Sequence, residues 1–256
     1  MTARNEAPLR FFTGPHGGRI AYRLREGRSP TILFLPGYAS DMEGTKAVAL
    51  DAFAEARGQT LLRFDYSGTG SSEGPFEEGT LERWLDEAAA LVDGVTDGPV
   101  VLVGSSMGGW IALHLALRRP ERVAALVGIA AAPDFTEWGY TDAQKDALQR
   151  DGRLQRPNPY GDEPQLTTLA FWHSGQALRL LDGEIAIDCP VRLIHGDRDE
   201  EVPLDVAMRL KDALRCRDVQ LLVVKGAGHR LSSPSEITAI LGIVANLTDE
   251  TGREGA

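Results

Sequence analysis

The chain has 256 residues, 43% of them hydrophobic and 25% charged, with a formal net charge of −10. That is the composition of a soluble globular protein with enough material for one sizeable core. The acidic balance excludes a basic nucleic-acid surface and speaks against a stable anchor on anionic lipid, so neither partner is expected.

Leu9 to Thr13 and Arg19 to Arg25 flank Gly14-Pro15-His16-Gly17-Gly18 and read as a hairpin. Thr31 to Leu35 is an apolar run of strand length, ending at Pro36-Gly37-Tyr38. Gly44 to Arg57 has helical spacing and stops at Gly58. Gln59 to Phe64 is a further strand, followed by Asp65-Tyr66-Ser67-Gly68-Thr69-Gly70-Ser71-Ser72. Thr80 to Val95 is a long amphipathic helix. Val100-Val101-Leu102-Val103 then reads as a buried strand running into Gly104-Ser105-Ser106-Met107-Gly108, and a helix follows to about Arg118. Val123 to Ile129 is the next strand.

The rhythm breaks after Ala132-Pro133. From Asp134 to about Ile187 the chain is polar, helical in places and interrupted by Pro157, Pro159 and Pro164. An unstructured loop of that length is improbable in a compact domain, so a small inserted helical lid over about 134–187 is expected. Trp138, Tyr140, Phe171 and Trp172 either line its inner face or pack it onto the body. The sheet resumes at Val191 to His195, with a helix from Leu204 to Arg215 and a last strand from Val219 to Val224. The final helix is expected from Pro234 to near Leu247, with Ser233 as N-cap and Glu236 three residues on, and 248–256 as a flexible tail. Strands alternating with helices imply an α/β fold, a mostly parallel central sheet with helices on both faces, in a single domain over 1–256.

The start, Met1 to Pro8, holds no apolar secretory core, no organelle leader is evident, and no apolar run approaches a membrane span. Cys189 and Cys216 form no framework and read as free thiols of a reducing compartment. The expected location is cytoplasmic.

The strand, the tight turn and the helix around Gly104-Ser105-Ser106-Met107-Gly108 give that motif its meaning. Glycine is needed where side chains would collide, and the residue between is forced into a strained conformation that presents Ser106 as a nucleophile. A serine hydroxyl needs a base, and histidine suits the task because its pKa lies near the working pH. His16 lies in the hairpin turn, His114 in the helix behind Ser106 and His173 in the presumed lid; His195 ends a strand and reads as a loop brace. His229 follows the last strand in a glycine-flanked loop at the same sheet edge as Ser106, and it is the candidate base. The acid is expected between serine and histidine. Asp199 is the stronger candidate; Asp197, close behind Gly196 and suited to bracing the turn, is the alternative. The backbone amides of Tyr38 and Met107 are the candidate oxyanion hole. Such chemistry calls for no metal and no cofactor.

Leu35-Pro36-Gly37-Tyr38, Phe64 to Ser72, Gly104 to Trp110, His195-Gly196-Asp197-Arg198-Asp199 with Val202-Pro203, and the His229 loop together resemble the α/β-hydrolase superfamily. More narrowly, Gly37 to Lys46 and Arg63 to Gly68 resemble the group of palmitoyl-protein thioesterases that also cleave mycophenolic acid acyl-glucuronide. The likeness spans about residues 9–247. It implies Ser106 as nucleophile, Asp199 as acid and His229 as base. It also implies deacylation of S-acylated cysteine or hydrolysis of activated acyl esters, with a small acyl ester, a thioester or an S-acylated protein as partner. The rivals are a peptidase or carbon–carbon hydrolase with the same triad, and a non-catalytic small-molecule binder on the same fold. Gly68-Thr69-Gly70 is no dinucleotide fingerprint, because position 73 is Glu and Pro75 follows where a phosphate-binding helix would begin. No Gly-Lys-Ser/Thr occurs for a Walker loop.

Overall fold

The computed structural model describes residues 6–158 and 164–254. In chain order the strands are β1 (Leu9–Thr13), β2 (Arg19–Arg25), β3 (Arg28–Leu35), β4 (Gln59–Phe64), β5 (Val100–Ser105), β6 (Val123–Ile129), β7 (Arg153–Arg156), β8 (Gln165–Thr168), β9 (Val191–Gly196) and β10 (Val219–Val224). The helices are α1 (Thr45–Arg57), α2 (Leu81–Val95), α3 (Met107–Arg118), α4 (Phe135–Trp138), α5 (Asp142–Asp151), α6 (Leu169–Ala177), α7 (Leu204–Ala213) and α8 (Pro234–Glu254). An eight-stranded sheet has the order β1-β2-β4-β3-β5-β6-β9-β10. β2 is antiparallel to both β1 and β4, and from β4 to β10 every neighbour pair is parallel.

The apolar runs place β3 and β5 at the centre. Side chains alternate between the two faces of a strand, so a strand covered on both sides needs apolar residues at every position. Ile32, Phe34, Val101 and Val103 face one layer with Ala47, Leu50 and Ala54 of α1 and Val244 and Leu247 of α8. Leu33, Leu35, Val100 and Leu102 face the other with Leu85 and Val92 of α2, Ile111 and Leu115 of α3 and Leu210 of α7. Full burial of each such side chain stabilises by about 1.5–3 kcal/mol.

Local signals set the helix ends. Gly58 closes α1 in the left-handed region at φ 60°. The Thr80 hydroxyl accepts the Arg83 N–H at the start of α2. At α8 the Ser233 hydroxyl accepts the Glu236 N–H at 3.4 Å while the Glu236 carboxylate accepts the Ser233 N–H at 2.7 Å.

Two expectations change. α8 does not stop near Leu247 but continues to Glu254, so 248–254 are helical rather than a loose tail. The reason is that Thr248 is buried and bonds back to the Val244 carbonyl, while the Asp249 carboxylate meets Arg57 of α1. Residues 255–256 lie outside the described residues. The segment between β6 and β9 is helical in α4, α5 and α6 but also carries the antiparallel pair β7–β8, where a purely helical insertion was expected. Each of these strands is four residues long and largely polar, too short for a period-two pattern to declare itself. Pro159 lies outside the described residues.

Candidate active site

Ser106 joins β5 to α3 with φ 54° and ψ −118°, a left-handed backbone that a non-glycine residue adopts only when its surroundings enforce it. The enforcement is visible. Its N–H donates to the Ile129 carbonyl at 2.9 Å, and its own carbonyl accepts from Ala132 N–H at 3.1 Å, both on the β6 side. A Cβ on Gly104 would overlap the Gly108 carbonyl, and one on Gly108 would overlap the Leu35 carbonyl, so both positions accept only glycine. The strained turn is thus clamped between β3 and β6, and the hydroxyl of Ser106 is left facing the C-terminal edge of the sheet.

There it meets the two elements that sequence reasoning singled out. His229 Nε2 stands 3.1 Å from Ser106 Oγ, and His229 Nδ1 stands 2.9 Å from Asp199 Oδ2. With Nδ1–H donating to the carboxylate, Nε2 is left to accept from the hydroxyl. Asp199 is fully buried at its side chain. Its Oδ1 accepts the N–H groups of Glu201 and Val202, both at 2.9 Å. Burial alone would push this carboxyl up. The hydrogen bond and charge of His229 and the two backbone N–H donors outweigh it and hold the acid below its usual range. Asp197 does something else: its Oδ1 accepts the Gly226 N–H at 2.5 Å and ties the β9 turn to the β10 turn. His195 braces the same loop, with Nε2 2.8 Å from the Val202 carbonyl and 3.4 Å from Asp199 Oδ2.

The other histidines stand away from Ser106. His16 pairs with Asp86 at 2.9 Å, His114 contacts the Leu178 carbonyl at 2.8 Å, and His173 is exposed beside Trp172.

The two candidate oxyanion amides flank the turn. Met107 opens α3, so its N–H precedes the helix's own hydrogen-bond ladder. The Gly37-Tyr38 loop lies against the nucleophile: a Cβ on Gly37 would come 3.5 Å from the Ser106 Cβ and 3.4 Å from the Ser105 carbonyl oxygen. The Tyr38 ring packs in an aromatic cluster with Phe76, Trp84, Phe135 and Phe171, at centroid distances of 5.4, 5.9, 6.1 and 4.7 Å. Its phenol donates to the Leu166 carbonyl of β8 at 2.6 Å, and burial pushes its pKa up.

A cavity of about 510 Å³ opens over Ser106 and His229. One wall is the loop from Gly37 to Asp41 and the start of α1, and another is Pro164, Gln165 and Leu166 of the insertion. None of Trp138, Tyr140, Phe171 and Trp172 is among its described lining residues; these four pack the insertion together and onto the body. Trp138 donates to the Pro133 carbonyl, Trp172 to the Thr136 carbonyl, Tyr140 bonds Thr167, and Phe171 is buried in the core.

Sequence reasoning gave no role to two charged groups in this wall. Glu201 Oε2 lies 4.0 Å from His229 Nε2. Lys46 Nζ donates to the carbonyl of Arg230, the residue after His229, at 2.6 Å. Burial, with the charge of Arg230 adding to it and Glu236 opposing it, pushes the Lys46 ammonium down to about 8. The signal for Lys46 was present in the sequence: a cation in the first turn of a helix, where an acid would suit the dipole better. Among the described residues no cluster of His, Cys, Asp and Glu is arranged to hold a metal ion. No helix there is long and apolar enough to cross a membrane.

Comparison with known proteins supplies the family. A family model described as alpha/beta hydrolase fold matches residues 30–186. The human palmitoyl-protein thioesterase ABHD10, mitochondrial, is 37% identical over 251 residues, covering 96% of this chain and 82% of that protein. Among solved structures, alpha/beta hydrolase domain-containing protein 10 from mouse superposes with a TM-score of 0.89 at 35% identity, covering 95% of this chain and 99% of that one. A putative hydrolase from Agrobacterium vitis S4 gives 0.88 at 37% identity, covering 94% and 99%. The cytoplasmic location expected from the sequence is overturned by the human relative, which is named as mitochondrial. The lack of an apolar secretory core had no bearing on that question, because mitochondrial leaders are amphipathic and Arg-rich rather than apolar. Strand order, the strained serine turn and these matches have one reading: the chain belongs to the α/β-hydrolase family, close to the group of that thioesterase.

Proposed function

We propose that this protein hydrolyses acyl esters or thioesters through an acyl-enzyme on Ser106. The observation that carries the reading is the hydrogen-bonded chain Ser106 Oγ–His229 Nε2 and His229 Nδ1–Asp199 Oδ2 at the floor of the cavity. His229 takes the hydroxyl proton as Oγ attacks the acyl carbonyl, and Asp199 holds the ring in the tautomer that can accept it. The amides of Tyr38 and Met107 stabilise the oxyanion, aided by the positive end of α3. His229 then protonates the departing alcohol or thiol. A water that gives its proton to His229 attacks the acyl carbon, releasing the acid and restoring Ser106.

The name of the human relative favours a thioester, with S-acylated protein as its substrate class. The insertion over about 134–187 acts in this reading as a lid whose β8 edge covers the acyl site. Labelling by a fluorophosphonate, and a panel of acyl lengths crossed with oxygen and sulfur leaving groups, test the proposal. Ser106-dependent turnover of the thioesters supports it. Absence of both labelling and turnover overturns it.

A further inference from the structure

Lys46 is poorly compensated where it stands. It is the second residue of α1, in a first turn that contains no acidic residue, so the helix dipole opposes its charge. Among the described residues no carboxylate lies within 4.0 Å of its nitrogen. Its hydrogen bond is to a neutral carbonyl, that of Arg230. The side chain is half-buried in the wall of the cavity that contains Ser106 and His229. Packing alone would favour an apolar residue here, and tethering the His229 loop needs only a neutral donor. Glu236 favours the charge only at a distance, so a direct anionic partner has to arrive from outside. Asp41 and Glu201 line the same cavity, but Asp41 bonds the Glu43 N–H, and Glu201 sits on the His229 side. Arg230 lines the cavity beside Lys46, so the cationic wall lies where these two residues meet.

We infer that Lys46 is a specificity residue: its ammonium receives a carboxylate or phosphate carried by the ester or thioester substrate, away from the bond that is cleaved. The inference rests on the hydrolase reading above. The lowered pKa agrees with it, since an ammonium held near 8 is still charged at neutral pH and gains most from a partner anion. Arg230 and Glu236 are the charged groups that act on it from the His229 loop and α8, and Asp41 and Glu201 face the same space.

The test compares four probes with a common butyryl or glutaryl acyl part, followed by acid release. They are neutral p-nitrophenyl butyrate, mono-p-nitrophenyl glutarate with its carboxylate on the acyl side, 4-butyryloxybenzoate with it on the leaving side, and a butyrate ester of a phosphorylated phenol. The quantity read is the ratio of kcat/KM for each anionic probe to that for the neutral one, in wild type, Lys46→Met and Lys46→Arg. The wild type should favour at least one anionic probe. Lys46→Met should cut that ratio about tenfold, mainly through KM, and Lys46→Arg should keep most of it. Raising the salt should narrow the wild-type preference. Which probe responds tells carboxylate from phosphate and acyl side from leaving side. An unchanged ratio in Lys46→Met, even with both rates lowered, overturns the inference and leaves Lys46 a tether for the His229 loop. So does a wild type that disfavours every anionic probe. If the neutral ester shows no Ser106-dependent turnover, the hydrolase reading itself has failed, which is a different result.

Discussion

At the Ser106 turn the backbone does the holding: peptide groups of Ile129 and Ala132 clamp the residue, and Gly104 and Gly108 leave room for main chain to cross main chain. In the insertion between β6 and β9, side chains do it. The Asp134 carboxylate accepts the N–H groups of Leu180 and Leu181, each at 2.8 Å. The Trp172 indole reaches the Thr136 carbonyl, and the Trp110 indole of α3 reaches Leu178. Tyr38 ties the body to β8. Peptide groups are common to every sequence, whereas these side chains are each replaceable. The Ser106 hydroxyl therefore sits on a frame that tolerates almost no change, while the insertion beside the cavity can drift without disturbing it.

The largest expected effects break the two parts separately. Ser106→Ala should lower kcat about 10⁴-fold or more, with the melting temperature nearly unchanged, because the clamp uses main-chain atoms. Gly108→Ala should do the reverse first: the new methyl meets the Leu35 carbonyl, and unfolding should become easier by about 3 kcal/mol or more. If Gly108→Ala melts like the wild type, the turn is not the rigid element described above.

The acid comes next. Asp199→Asn should cost about 10³- to 10⁴-fold in kcat, since the amide presents the wrong partner to His229 Nδ1. Asp197→Asn should cost far less in rate and show mainly in stability, through the bond to Gly226. Equal losses in the two variants would refute that division. Asp199 also makes a signed contribution with pH. Its carboxyl is held below the usual value in the folded protein, so its stabilisation is fully present above the ordinary aspartate range. It is lost as pH falls through the lower folded value, because the unfolded chain then binds the proton more readily. Acid titration of stability should show that loss in the wild type and lack it in Asp199→Asn.

What the sequence made legible follows the same division. The run Val100 to Val103 and the glycines after it announce themselves, because a buried strand and a tight turn restrict residue types at consecutive positions. His229 could be reached by eliminating four other histidines. Choosing between Asp197 and Asp199 was harder, since both lie in one turn and only the loop's course decides which carboxylate meets His229 and which meets Gly226. β7 and β8 were invisible because four polar residues pairing with four others leave no pattern. The last turns of α8 were misread because Thr248 looks like tail composition until its neighbours bury it.

The smallest effects sharpen the comparison most, because they ask whether the insertion speaks to the chemistry through Tyr38. Tyr38→Phe keeps the ring in its aromatic cluster and removes the phenol that grips the Leu166 carbonyl of β8. Trp172→Phe removes an indole bond, to the Thr136 carbonyl inside the insertion, together with part of a half-buried ring. Each leaves one acceptor short of a partner and should lower stability by about 1 kcal/mol, with the lost ring area adding to the loss at Trp172. Their rates should differ. Tyr38 carries the candidate oxyanion amide on the same residue whose phenol grips β8, so loosening the phenol lets that amide shift, and kcat should fall by about three- to tenfold. Trp172 has no such link, and kcat on a short acyl ester should stay within about twofold of wild type. Equal rates in the two variants would mean that the insertion shapes the cavity wall without steadying the oxyanion donor.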